Sequence, residues 1–140
     1  MKNFYLIFLF LFVSCNQLNQ LSDFNWKKNK QIKKSFFANG NLEYTSELFN
    51  GKLNGTTTVW LENGTIFSTS QYSNSIPHGK WKKFHPSGIL MFELTYVYGK
   101  KDGYEKWYHE NGKIKSEQYF KNGESKLEIV RWDQNGNLIY

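Results

Sequence analysis

Three histidines, one cysteine and twelve carboxylates are the residues of this 140-residue chain with the chemistry to make or break bonds. Catalysis needs a nucleophile beside a base, a matched carboxylate pair or a metal cluster, held on a rigid site that excludes water. His78, His85 and His109 are the titratable candidates, and His85 and His109 stand 24 residues apart. In equivalent places on neighbouring hairpins, two strand spacings would separate them by about 10 Å, too far for one metal ion with bonds of about 2.0 to 2.1 Å. They are expected at the surface. His78-Gly79-Lys80 lacks the upstream glycine and the following Ser or Thr of a phosphate loop, and no Gly-x-Ser-x-Gly occurs. Glu62, Glu110 and Asp133 recur beside turn signals, where acidic residues promote solubility. The residues predict a protein that is not an enzyme, and they imply neither cofactor nor metal.

The elements that would place any such group start at the N-terminus. Met1 to Asn3 carry one lysine, Phe4 to Val13 form an apolar run of ten, and Ser14-Cys15 follows. A helix needs about 20 apolar residues to span a bilayer, so this run is too short. A positive start, a short apolar centre and a small residue at its end make a secretory signal. Phe12-Val13-Ser14-Cys15 resembles the lipobox of bacterial lipoproteins, with Phe12 where that family has Leu. The resemblance implies a signal peptide over 1–14, cleavage before Cys15, and lipidation of its thiol and amine. Several acyl chains, at about 0.8 kcal/mol per buried methylene, would anchor a domain without any spanning helix. The other reading is a secreted protein in which Cys15 is incidental. Asn16, in place of the aspartate that retains lipoproteins at the inner membrane, points to an outer-membrane lipoprotein on its periplasmic or surface side. A lone cysteine excludes a disulfide framework and a four-cysteine zinc site.

Residues 15–30 read as lipidated cysteine and tether. Lys27, Lys28, Lys30, Lys33 and Lys34 fall within eight residues. Next to a lipid anchor they could gain up to about 1 kcal/mol each from anionic head groups; as a solvated edge of the first strand they would do nothing of the kind. The net charge of +6 favours an acidic partner or an anionic surface and specifies neither. Nucleic acid is disfavoured, because the lysines are interspersed with glutamates and form no clean stripe.

From residue 31 to 140 the chain is periodic. Gly40, Gly64, Gly88, Gly112 and Gly136 are spaced by 24 residues, and Asn39, Asn63, Asn111 and Asn135 precede four of them. Leu42, Ile66, Leu90, Ile114 and Leu138 follow two positions after each glycine. Eight positions after come Leu48, Tyr72, Tyr96 and Phe120, and twenty after come Trp60, Phe84, Tyr108 and Trp132. A second glycine recurs at Gly55, Gly79 and Gly103. Asn-Gly between strand-like runs signals a hairpin through a type I′ turn. An aromatic content of 19% with only two prolines suits short, half-buried strands. The expected fold is all-β: an antiparallel meander of hairpins, roughly ten strands in one elongated, twisted sheet. A single layer cannot fully bury either face, so the two aromatic series are expected to stack as ladders that supply the core. Phe49, Phe67, Trp81 and Trp107 lie at odd offsets from the ladders and should point to the other face. They are the candidate binding face, or else a second partly buried one.

The unit Gly-x-Leu/Ile, an aromatic, Asn-Gly-Lys, Gly and a Trp/Tyr block resembles the MORN repeat variant, including proteins labelled YwqK-type antitoxins. The copies "NGNLEYTSELFNGKLNGTTTVWLE" and "SGILMFELTYVYGKKDGYEKWYHE" carry it most clearly, and Ser75-Ile76-Pro77 and Ser125 to Leu127 depart from it. The resemblance implies a hairpin-repeat binding or scaffold protein, in some cases one that neutralises a toxin, with no shared catalytic residues. The expectation is a lipid-anchored, non-enzymatic module that binds another protein in the bacterial envelope. The alternative is an envelope structural protein that touches glycan or lipid directly through the lysine run and the off-ladder aromatics.

Overall fold

A computed structural model describes residues 29–139. The proposed signal 1–14, Cys15, Lys27 and Lys28 lie outside the described residues. The unit Gln31–Tyr140 is all-β. Its strands are β1 (Lys30–Phe36), β2 (Leu42–Phe49), β3 (Lys52–Trp60), β4 (Ile66–Ser73), β5 (Ile76–Phe84) and β6 (Leu90–Val97) in the first half. They continue as β7 (Lys100–Lys101), β8 (Gly103–Tyr108), β9 (Ile114–Lys121), β10 (Glu124–Ser125), β11 (Val130–Trp132) and β12 (Leu138–Ile139). All belong to one antiparallel sheet whose main path follows chain order, with β7 beside β6 and β10 beside β9. That is the expected meander. β7 and β8 are one strand interrupted at Asp102, whose N–H turns to the Thr95 carbonyl at 2.9 Å.

Two turn designs alternate along the chain, and one differs from expectation. Asn39, Asn63, Asn111 and Asn135 do not take the left-handed conformation; only the glycines after them do, at φ +80 to +91°. Gly40, Gly64, Gly88, Gly112 and Gly136 each donate to the carbonyl three residues back, at 2.8–3.1 Å. These are three-residue loops, a type I turn closed by a left-handed glycine, rather than type I′ turns. Asparagine suits the place because its Oδ1 accepts the N–H two residues on, as Asn39, Asn63 and Asn111 do at 2.9–3.1 Å.

The type I′ turns sit at the opposite ends of the strands. Asn50-Gly51, Asn74-Ser75, Tyr98-Gly99 and Asn122-Gly123 all have both central residues at φ +46 to +90°. Ser75 keeps the turn although it replaces glycine. Its N–H donates to the Leu53 carbonyl at 2.7 Å and its hydroxyl accepts from the Leu53 N–H at 3.1 Å. Gly99 and Gly123 repeat the first bond on Pro77 and Lys101 at 2.8 Å. Each turn therefore leans on the unit before it. Asn54, His78 and Asp102, 24 residues apart, each accept the N–H of the first turn residue of the next unit.

No closed core forms. Leu94, 6% exposed, is the one buried apolar residue among the described residues, and Ser46 and Ser116 are buried as well. Stability then rests on the backbone ladder and on cross-strand pairs worth about 0.2–1 kcal/mol each. The recurring glycines belong to these pairs: Gly55 faces Tyr72, Gly79 faces Tyr96 and Gly103 faces Phe120. At Gly55 and Gly79 the space a Cβ would need is occupied by the side chains of Glu47 and Gln71. Phe67, Met91 and Lys115 are single extra residues in their strands, each opposite a regular partner strand. Such bulges re-aim side chains.

Candidate binding face

Directly paired residues of antiparallel strands project to the same side of the sheet, so register alone assigns the faces. One unbroken row reads Tyr44, Val59, Ser68, Lys83, Phe92, Trp107, Ser116, Arg131. A parallel row on the same face reads Ser46, Thr57, Ser70, Trp81, Leu94. The row between them, on the reverse face, reads Thr45, Thr58, Thr69, Lys82, Glu93, Lys106, Glu117, Val130. We term the first the aromatic face and the second the charged face.

On the aromatic face Trp81 sits between Tyr72 and Tyr96, with ring centroids 5.4 and 5.1 Å away. Phe92 and Trp107 pair at 4.6 Å. Both indoles are held in orientation from within: Trp81 Nε1 donates to the Gln71 carbonyl at 3.1 Å, and Trp107 Nε1 donates to Glu105 Oε1 at 3.1 Å. The bulge at Phe67 brings its ring beside Lys83, whose Nζ lies 4.8 Å from the ring centroid. Phe67, Trp81, Lys83 and Phe92 line a shallow recess of about 230 Å³. Trp107 stands 40% exposed at its edge.

Along its central row the charged face is internally neutralised. Lys82 pairs with Glu93 at 3.8 Å and Lys106 with Glu117 at 3.7 Å. Tyr108 Oη donates to Glu93 Oε1 at 2.7 Å. Burial, followed by that bond to Glu93, pushes the Tyr108 hydroxyl up to about 12.

Three of the four residues expected on the binding face, Phe67, Trp81 and Trp107, come together on the aromatic face. Phe49 does not: it pairs with Lys52 beside the Leu48–Leu53 pair, so it projects to the reverse side, by the first I′ turn. Tyr72 and Tyr96 share the aromatic face with Trp81, so that series is interleaved by a tryptophan instead of lying on the opposite side from it. Trp60, Phe84, Tyr108 and Trp132 do not stack on one another; each pairs with an aliphatic two residues past the next loop glycine, Ile66, Leu90, Ile114 and Leu138. Their neighbours on the odd positions turn the other way, as expected for Trp81 and Trp107. Lys33 lies over the Tyr44 ring at 5.9 Å, and Lys30 and Lys34 stand on β1. His85 and His109 are half-buried rather than on the open surface, His85 Nδ1 lying 3.8 Å from Glu110 and His109 Nε2 2.9 Å from the Trp132 carbonyl.

Sequence reasoning missed Phe92, Lys83 and Arg131. A signal for two of them was present: Val59, Lys83, Trp107 and Arg131 occupy one position of the 24-residue unit, immediately before the aromatic series. That position varies in chemistry while the frame around it repeats, which marks a surface free to specialise. Phe92 carried no such mark, because its place beside Trp107 depends on the extra residue at Met91.

The class of protein defined by this fold is a hairpin-repeat protein with an open sheet. The MORN repeat variant family profile matches two adjacent repeats, residues 77–98 and 101–122. Each matched segment starts at a strand following an I′ turn and ends in the next such turn. No curated protein matches the chain.

Proposed function

We propose that this protein is a non-enzymatic binding module that captures another protein on the aromatic face. The observation that carries the reading is the cluster of Phe67, Trp81, Phe92 and Trp107 beside a cation, backed by a reverse face whose central row of charges is already paired. Large aromatic side chains with one exposed edge are the residue types that dominate binding energy at protein interfaces. The signal-like 1–14 segment and Cys15 support a lipid anchor in the bacterial envelope, on the outer membrane. The resemblance to YwqK-type antitoxins supports an immunity-like role, exercised in the envelope against a toxin met there.

A photo-reactive amino acid placed at Trp107, and in a separate variant at Thr69 on the charged face, tests this in native membranes. One stoichiometric protein adduct from position 107 and none from position 69 is the expected result. Adducts made only of lipid or wall glycan would overturn the reading and give the protein a surface-binding role through its lysines.

A further inference from the structure

The cations of the two faces differ in their company. Among the described residues Lys82, Lys106, Lys101, Lys121 and Lys126 each pair with a carboxylate. Lys83 and Arg131 have none: Lys83 lies over Phe67 and Arg131 is exposed. The carboxylate on that side of β8, Glu105, is already taken by Lys101 and by Trp107 Nε1. Glu128 shares a recess with Arg131 without forming an ion pair with it. The aromatic face thus offers two unneutralised cations flanking an aromatic pair. On the charged face Lys80 also lacks a carboxylate, but it lies near Tyr104 and the already paired Lys106 rather than beside a second unneutralised cation.

Their spacing is defined by register. Lys83, Phe92, Trp107, Ser116 and Arg131 follow one another across adjacent strands. Four strand spacings of about 4.8 Å put the two cationic positions about 19 Å apart. An extended peptide rises about 3.3 Å per residue and shows alternate side chains to one side, so about six residues cover that distance. We propose that the aromatic face binds an acidic peptide segment of its partner: carboxylates six residues apart meet Lys83 and Arg131, and apolar side chains between them lie on Phe92 and Trp107. This rests on the reading above that the face binds a protein.

Two features favour a peptide over an anionic bilayer. Successive strands rotate by about 20–25°, so the row from Lys83 to Arg131 turns through about 80–100°. A flexible chain follows such a twist and a flat surface does not. The indole N–H groups of Trp81 and Trp107 are also engaged within the sheet, leaving none for the polar head groups that interfacial tryptophans usually meet.

The test is fluorescence anisotropy of a labelled synthetic peptide of about nine residues, with two glutamates six apart and two phenylalanines between them, titrated with the whole 140-residue chain. Saturable binding is expected, weakened about tenfold by Lys83→Gln or Arg131→Gln and about tenfold between about 0.05 and 0.5 M salt, and untouched by Lys106→Gln. Unchanged thermal midpoints in these variants show that the fold persists. Absence of saturable binding, or equal loss in Lys106→Gln, overturns the proposal. So does binding to phosphatidylglycerol vesicles that depends on Lys83 and Arg131 while the peptide is ignored. If the adduct at position 107 is a protein whose attached segment lacks acidic residues, this inference falls and protein capture stands. If the peptide binds but that adduct is lipid alone, protein capture falls.

Discussion

The two faces of this sheet are made from alternate residues of the same strands, yet they solve opposite problems. The row from Thr45 to Val130 places Lys82, Glu93, Lys106 and Glu117 in alternation, so each charge finds its counter-charge on a neighbouring strand. The row one residue away, from Tyr44 to Arg131, places Lys83, Phe92 and Trp107 together and leaves its cations without carboxylates. The central row of the reverse face is complete by itself. The aromatic face is stabilised by ring contacts and by Leu94, while Lys83 and Arg131 are without carboxylates.

Four comparisons, built on seven substitutions, break or sharpen this contrast, ordered by the largest effect in each. Gly79 holds φ +106°, and a Cβ there would lie 2.3 Å from Gln71 Oε1. Gly79→Val should cost about 3 kcal/mol in denaturant unfolding and loosen the Tyr96–Trp81 packing above it. Gly103→Val meets the same backbone strain at φ +113° with Thr95 Cβ a comfortable 3.9 Å away, so about half that loss is expected. A reversed order would show that crowding by Gln71 is not what requires glycine.

Leu94→Ala should remove about 2 kcal/mol, because Leu94 is the most enclosed apolar side chain of the aromatic face. Thr69→Ala on the charged face should stay within about 0.5 kcal/mol, and similar thermal shifts for both would erase the asymmetry.

Tyr108→Phe deletes the hydrogen bond to Glu93 and should cost about 1 kcal/mol near neutral pH. The hydroxyl titrates higher in the folded protein, at about 12 against 10.0. The protonated form is therefore the one the fold favours. Its contribution is fully present below about pH 10 and is lost as pH rises toward 12. Alkaline unfolding followed by circular dichroism should show the parent losing more stability over that window than Tyr108→Phe.

The smallest effect is that of Lys82→Gln, whose partly exposed pair with Glu93 should be worth under about 0.5 kcal/mol and vanish in salt. Lys83→Gln should be equally silent in stability. A large stability loss at Lys83 would mean that the residue is a structural prop for Phe67 and not a contact held ready.

The 24-residue period, the all-β meander and the leading strand were legible because each turn needs glycine at one place and each strand needs alternation around it. Those requirements act over a few neighbouring residues, and sequence spacing displays them directly. The turn at the Gly40 series differs from the expected type I′ for a related reason. Asn-Gly suits two left-handed residues, but the Asn of the Gly40 series uses its side chain to accept Thr65 or Lys113 N–H instead, and strand length then selects the three-residue loop.

Which side chains meet depends on the pairing of whole strands. The single extra residues at Phe67, Met91 and Lys115 shift the register by one at the start of β4, β6 and β9, and one residue of shift exchanges the faces. The extra residue recurs three positions after Gly64, Gly88 and Gly112, but its effect on the faces emerges only when the strands pair. It gathers Phe67, Lys83, Phe92 and Trp107 on one side, while a separate register shift between Ser46 and Leu48 precedes the Phe49–Lys52 pair. A repeating frame of hairpins is written in local spacing; the pairing of strands across that frame sets Phe67, Lys83, Phe92 and Trp107 on one face.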